Sequence, residues 1–561
     1  MKVLSITIII WMTVFMFLQG LYFNHTLMLA NVIVIILLFL WLFHKGSLIL
    51  PKDMTSKFLF LFLALQILAY FTALEKGMQV YGIFLGLLLV MAYVLIYQVH
   101  NNNFMKYFKC VFVISVIVGG LIGIMSYLGF EEHQISYVIN HRMAGPIQYA
   151  NTWAAVVFSA ILVYLTIEMK TWQKVIGFSI LGTTLLMTMS RSVILISCLI
   201  IVYLLIKKKL NNAFWMGLCF SVVISKVLIG FINLEMVFRR LTQMTPKVSE
   251  WQTRLLYYED ALRMIWDRPF GYGTFGYYYA QRAYQTGSMY HVRYVHSSLL
   301  QAFLDIGILG GMTLAAFMIY IIFIKKYDGM NKLVVMVLLL HSLSDITLQF
   351  PYIWLLIIIF STTKEEIERK DFVLKKGFSN VAILLLLLPC IYFLIVEISY
   401  YRGNYETTLD LYQGHTEGAR KYLLTEDNQD QQITLSENLI RRNPYIIEGY
   451  LVLKDIAIKK GNYPLAVEHT RTLVDINPLN IHRHEAYSSA LLMASEFSIH
   501  SGDVPQGRMY LEAIRTIPEA LTVLAKEKNT HYNIRHKPYL VMTKKLNENY
   551  NKAGVLLRGL D

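Results

Sequence analysis

Apolar runs of about 18 to 22 residues, long enough to cross a hydrocarbon core of roughly 30 Å, recur from the N-terminus to about residue 400. A soluble fold has no use for that many continuous runs, whereas in lipid a helix satisfies all of its own backbone groups. Composition agrees: of 561 residues, 56% are apolar and only 16% charged. The runs fall near residues 3-20, 26-44, 58-74, 79-98, 107-128, 150-167, 174-189, 192-206, 213-232, 296-324, 333-349, 351-361 and 380-399. Pro351 interrupts the eleventh and twelfth, and the twelfth is short. The first run is not followed by a small-residue cleavage site and reads as a retained span. The expected fold is all-α: a polytopic membrane domain of about twelve or thirteen helices over residues 1-400, with a helical extracytoplasmic loop at 233-295 and a helical domain at 401-561.

Lysines mark alternate loops. Lys45, Lys52 and Lys57 occupy one, Lys106 and Lys109 the next but one, then Lys170 and Lys174, Lys207 to Lys209, Lys325, Lys326 and Lys332, and the run from Lys364 to Lys376. Basic loops stay in the cytoplasm, so this alternation predicts a cytoplasmic N-terminus, an odd number of spans and an extracytoplasmic tail. The same loops account for much of the net charge of +14 and face anionic lipid, which removes the argument for nucleic acid. Cys110, Cys198, Cys219 and Cys390 all lie in apolar runs, so no disulfide or zinc framework is available, and no metal or cofactor is expected.

In the tail, Asn443-Pro444 and Asn477-Pro478 are 34 residues apart, the period of tetratricopeptide repeats. Gly461 to Ala466 resembles the turn and second-helix start of such a unit, with Gly461 in the turn and Ala466 at the close-packed position. A third, degenerate unit is expected to end near Pro518. A generic helical bundle is the alternative. Either one would pack on the membrane domain or hold a partner peptide.

Two long polar stretches, 129-150 and 233-295, fall on the outer side. The second is rich in tyrosine, tryptophan and arginine, as a folded cap would be. Arginine is normally depleted outside, yet Arg142, Arg191, Arg254, Arg263, Arg268, Arg282 and Arg293 are all placed there. Guanidinium suits bidentate contact with phosphate oxygens. Arg263, Arg268, Arg282 and Arg293 read as solvated or headgroup-facing charges. Arg191 is different, because Met189-Ser190-Arg191-Ser192 is a turn of almost no length between two apolar runs, where a charge is expensive without a role. His296 opens a span beside these arginines, where an imidazole could take a proton from a hydroxyl. Asp305 sits inside that span, followed by Gly307 and Gly310. His341 and Asp345 are four apart, so one helical face would carry both, either as an internal pair or as a support for substrate.

These residues resemble the O-antigen ligase and O-antigen polymerase superfamily, which also includes some bacterial O-linked oligosaccharyltransferases. Its signature is a histidine, then Asn, Ser or Gln, nine residues, a glycine, two residues and a small residue; His296, Ser297, Gly307 and Gly310 fit, with Asp305 at the acidic position. Further matches are Ser190-Arg191, the Arg254 that leads to Pro269-Phe270-Gly271-Tyr272-Gly273, and the stretch from Arg142 to Asn151. The resemblance implies metal-independent, inverting glycosyl transfer from an undecaprenyl pyrophosphate-linked glycan. Arg191, Arg254 and Arg142 would grip the pyrophosphate, His296 would act as general base, and Asp305, His341 and Asp345 would support them. The acceptor, a glycan or a protein, stays open between polymerase, ligase and protein glycosyltransferase. The implied location is the bacterial cytoplasmic (inner) membrane, with the repeats outside and available to polysaccharide-assembly proteins. A transporter or flippase of lipid-linked sugars and a non-catalytic scaffold are the competing classes; the former often shows an internal repeat of the membrane half, which is absent here.

Overall fold

The apolar runs become helices, and where polar or turn residues intervene the chain turns back. In a computed structural model, which describes residues 2–130, 137–230, 249–287, 289–363, 372–375, 378–527 and 538–561, the membrane domain comprises α1 (Lys2–Phe17), α2 (Asn24–Lys45), α3 (Met54–Thr72), α4 (Lys76–Val99), α5 (Asn102–Tyr127), α6 (Ala150–Leu165), α7 (Thr171–Thr188), α8 (Arg191–Ile206) and α9 (Asn212–Gly230). After the loop helices α10 (Ser249–Asp267) and α11 (Gly276–Tyr284) come α12 (Ser298–Ile319), α13 (Gly329–Ser342), α14 (Pro351–Ser361) and α15 (Phe378–Tyr401). Residues 233–248 of the expected cap and most of the basic run after Lys364 lie outside the described residues.

The apolar runs form described helices of unequal length. Six described helices are long and apolar enough to cross a membrane: α2, α3, α4, α5, α12 with its continuation to Ile324, and α15 from Asn380. Six others, among them α6, α8, α13 and α14, are apolar but of 10–17 residues. Helix stops account for two of the short ones. Residues 333-349 do not form one span, because α13 ends at Ser342 and a 3-10 turn occupies Thr347–Gln349. Pro351, rather than interrupting a helix, starts α14, where its missing N–H is harmless. Every residue of α14 is buried, so this short helix lies among other helices rather than in lipid.

Two small sheets depart from the all-α expectation. β1 (Ser47–Leu50) pairs antiparallel with β4 (Phe372–Lys375), from Ser47 opposite Lys375 to Leu50 opposite Phe372. This ladder brings the first basic loop to the last one. β2 (Val138–Ile139) and β3 (Arg142–Met143) form a hairpin whose two turn residues, Asn140 and His141, have φ of 50° and 58°. Two left-handed residues in a two-residue loop are the type I′ arrangement that matches strand twist, and Asn accepts it readily.

The tail continues through α16 (Tyr405–Leu411), α17 (Thr416–Leu423), α18 (Gln429–Arg442), α19 (Ile447–Lys459), α20 (Tyr463–Ile476), α21 (Ile481–His500), α22 (Val504–Glu527) and α23 (Lys544–Leu560), each packed against the next. Asn443 and Asn477 cap the ends of α18 and α20, both of 14 residues. Gly461 turns the chain at φ 70°, and Ala466 is fully buried. The unit end expected near Pro518 is not there: this proline lies inside α22. Leu423, Leu439 and Ile446 share the core of the membrane helices, whereas Leu491, Leu511, Ile514 and Leu546 belong to a separate cluster.

Candidate active site

The site is assembled around a buried carboxylate beyond the end of α13. His296, Ser297 and Ser298 each have a separate task there. His296 sits at φ 57°, a left-handed conformation that a non-glycine residue holds only under constraint. Ser297 is the N-cap of α12, its hydroxyl accepting from the Leu300 N–H at 3.3 Å. The Ser298 N–H and hydroxyl both donate to the Asp345 carbonyl, at 3.1 and 2.9 Å, and the same hydroxyl accepts from the Leu348 N–H at 3.1 Å. The turn after α13 is thereby tied to the start of α12.

The Asp345 side chain is fully buried and saturated with donors. Oδ1 accepts from the Tyr149 hydroxyl at 2.6 Å and from the Ile346 N–H at 2.8 Å, and lies 3.6 Å from His296 Nδ1. Oδ2 accepts from the Asn151 amide at 2.6 Å and faces Arg254 Nη2 at 3.4 Å. Burial opposes its charge, but His296, Arg254 and His341 outweigh burial and hold the carboxyl well below the usual carboxylate range. One oxygen thus addresses the histidine and the other the arginine.

Three arginines converge beside it. Arg254, on α10, also donates to the Ser344 carbonyl at 2.9 Å. Arg142, delivered by the hairpin, donates through Nε to the Thr188 carbonyl at 2.8 Å and through Nη2 to the Asn151 amide oxygen. Arg191 is the first residue of α8, after Met189 at φ 51° and Ser190 at the N-cap. All three line one cavity of about 250 Å³, together with Asn151, Met189, Ser192 and Trp251. A helix N-terminus and three guanidiniums give this cavity a positive lining that suits an anion. Among the described residues no cluster of His, Cys, Asp or Glu is arranged to hold a metal ion.

Loop and span are locked by two glycines. Gly307, at φ 76°, opens α12 in mid-helix, and the freed groups pair with the segment after α10: Tyr272 N–H to Leu304 O at 2.6 Å, Gly273 N–H to Asp305 O at 3.0 Å, and Ile308 N–H to Pro269 O at 2.8 Å. A Cβ on Gly307 would lie 2.5 Å from Pro269 O, and one on Gly271 would lie 2.6 Å from Gly307 N. Only glycine permits this approach.

Two supporting residues stand elsewhere. Asp305 accepts from Gln301 Nε2 at 2.8 Å and lines a small cavity with Gln66, Tyr294 and Ser298, apart from the arginine cavity. His341 is not paired with Asp345: its Nδ1 is bonded to Thr347 Oγ1 at 2.6 Å. The spacing of four applies within a helix, and α13 ends at Ser342. Of the remaining arginines, Arg263 is exposed and pairs with Glu259 at 2.9 Å, Arg268 lies over the Tyr272 ring, and Arg293 is enclosed by the rings of Phe275, Tyr22 and Tyr294. Tyr149 carried no signal in the sequence, and its partner is 196 residues away.

No curated protein and no solved structure matches the chain. The stretch that contains Arg191, Arg254, His296 and Gly307, and leaves out Arg142, His341 and Asp345, does match a family: over residues 176–315 the chain fits the family model described as O-antigen ligase.

Proposed function

We propose that this membrane protein transfers a glycan from undecaprenyl pyrophosphate to a hydroxyl acceptor at the outer face of the cytoplasmic membrane, as a polymerase or ligase of a cell-surface polysaccharide. The observation that carries the reading is the convergence of Arg142, Arg191, Arg254 and the α8 N-terminus on one cavity beside the His296–Asp345 contact.

In this mechanism the acceptor oxygen attacks the anomeric carbon while the bond to the pyrophosphate oxygen breaks and its electron pair leaves with the phosphate. Negative charge on the leaving group grows along that path. Prepositioned guanidiniums therefore stabilise the transition state more than the bound donor. Attack from the side opposite the leaving group inverts the anomeric centre, and no step calls for a metal. With Nδ1 turned toward Asp345, His296 has Nε2 available for the acceptor proton. Asp345 is the positioning residue: from 3.6 Å its charge draws Nδ1 toward it and stabilises the imidazolium, the electrostatic part that a buried aspartate plays in hydrolytic triads. Helices α16 to α23 would lie outside the cell and hold the growing chain, an acceptor or assembly proteins.

The test is complementation of surface glycan in cells lacking the protein, comparing wild type with His296→Ala and Arg254→Ala at matched membrane expression. Accumulated lipid-linked units and lost polymer or conjugate are expected in both. Full restoration by both variants would move a transport or scaffold role to the front.

A further inference from the structure

A second polar pocket, separate from the arginine cavity, lies where the start of α2, the end of α15, the start of α17 and the segment ahead of His296 meet. Its volume is about 250 Å³. From its lining we infer that it is a saccharide subsite, holding one ring of the glycan that is transferred or extended; this rests on the transferase reading above.

The floor of the pocket carries hydrogen-bonding groups that are costly to bury without purpose. Glu397 and His415 are 3.0 Å apart with only 3% and 1% of their side chains exposed, and Asn24 donates to the same glutamate oxygen at 3.2 Å. Glu417 is held by Arg420 at 2.7 Å and by the Tyr279 hydroxyl. Arg293 enters from the loop, three residues before His296. Phe275 at 4.4 Å covers its guanidinium, and its Nε is buried with no hydrogen-bond partner.

The mouth is aromatic. Tyr401 is 69% exposed and lies 4.3 Å from the His25 ring, which in turn stacks on Phe23 at 5.7 Å. A sugar ring has an apolar C–H face and an edge of hydroxyls. It needs a flat aromatic surface on one side and paired donors and acceptors on the other, which is the composition of this pocket. Two carboxylates on the floor disfavour a phosphate, and a buried Glu–His pair beneath the rings is not what an aromatic membrane belt requires. Asn24 and Phe275 also line the cavity that contains Asp305 and Ser298, so the pocket opens at the same end of the bundle as the candidate active site.

The experiment uses the full chain in cells that make the glycan. Tyr401→p-benzoylphenylalanine is irradiated, and the cross-linked adduct is analysed for sugar and for polyprenyl lipid. An adduct carrying sugar is expected; polyprenyl on it assigns the donor chain, and its absence the acceptor. Adducts with phospholipid alone, or none, would overturn the subsite. In parallel, Tyr401→Ala should lower finished glycan roughly ten-fold, equivalent to about 1.4 kcal/mol, and Tyr401→Trp should restore it. Wild-type output from Tyr401→Ala while His296→Ala is inactive would sink the subsite and leave the transferase reading standing. Wild-type output from His296→Ala and Arg254→Ala as well would remove the transferase reading itself.

Discussion

Asn151 joins Arg142 to Asp345: its amide nitrogen donates to Asp345 Oδ2 at 2.6 Å, and its amide oxygen accepts from the Arg142 guanidinium. The orientation of the amide is forced, because an arginine can only donate and a carboxylate can only accept. One uncharged side chain therefore sets the distance between the anion cavity and the residue that faces His296.

Replacing that amide by a carboxylate should be disabling. In Asn151→Asp two carboxylates would meet at hydrogen-bond distance, and one would have to take up a proton or move. Transfer should fall by about 10²-fold or more, with the protein still inserted. Glycan blotting at matched membrane expression checks this, and near-normal output would contradict the network.

Asp345→Asn keeps the shape but removes the charge that faces both Arg254 and His296. A loss of roughly 10²- to 10³-fold in transfer is expected, with donor affinity changed less than turnover if Asp345 acts through His296. Purified protein with lipid-linked donor separates the two parameters. A pure affinity defect would place Asp345 with the arginines instead.

Lysine should not replace the cavity arginines. Arg142 uses two of its nitrogens, Nε and Nη2, on two different acceptors, Thr188 O and Asn151, and a lysine ammonium lacks the planar fork that spaces these donors. Arg142→Lys should cost about ten-fold or more in transfer despite the conserved charge. Wild-type activity in this variant would reduce Arg142 to a charge alone.

Gly307→Ala tests the lock between the loop and α12. Its Cβ would meet Pro269 O at 2.5 Å on a backbone of φ 76°. Steric conflict and left-handed strain together should lower stability by about 2 kcal/mol or more and abolish the site. Thermal unfolding in detergent would read the loss, and an unchanged midpoint would mean that the helix closes without its opening.

Asp260, on α10 outside the spans, is fully buried and accepts from Thr286 at 2.7 Å and Tyr290 at 2.8 Å. Burial pushes its carboxyl up to about 6, against the hydrogen bonds and Arg263. The folded state therefore binds this proton more tightly than the unfolded chain does. The contribution of Asp260 to stability is greatest below the ordinary aspartate value of about 3.9 and declines as pH rises to about 6. Asp260→Asn should flatten that part of a stability profile measured in detergent between pH 4 and pH 7. A profile identical to wild type would show that Asp260 titrates normally.

The sequence by itself determined the class of fold, a polytopic bundle of apolar helices. Continuous apolar runs satisfy their backbone groups in lipid as helices, and that requirement is local to each run. A charge in a very short turn marked Arg191 and a place at the mouth of a span marked His296, whereas Arg142 and Arg254 stood out by family resemblance; the structure brings the three arginines to one cavity. Helix length was less legible, since Ser342 ends a helix inside the run 333-349, which reads as continuous, and Pro351 starts a helix rather than interrupting one. What brings the site together is tertiary. Asp345 reads as the partner of His341 only if the helix continues, and once α13 stops the carboxylate is free to meet Tyr149, Asn151, Arg254 and His296 from three distant segments. Hydrophobic periodicity carries no information about such contacts, because they join residues up to 196 positions apart and are fixed by two glycines that let the loop touch the backbone of α12.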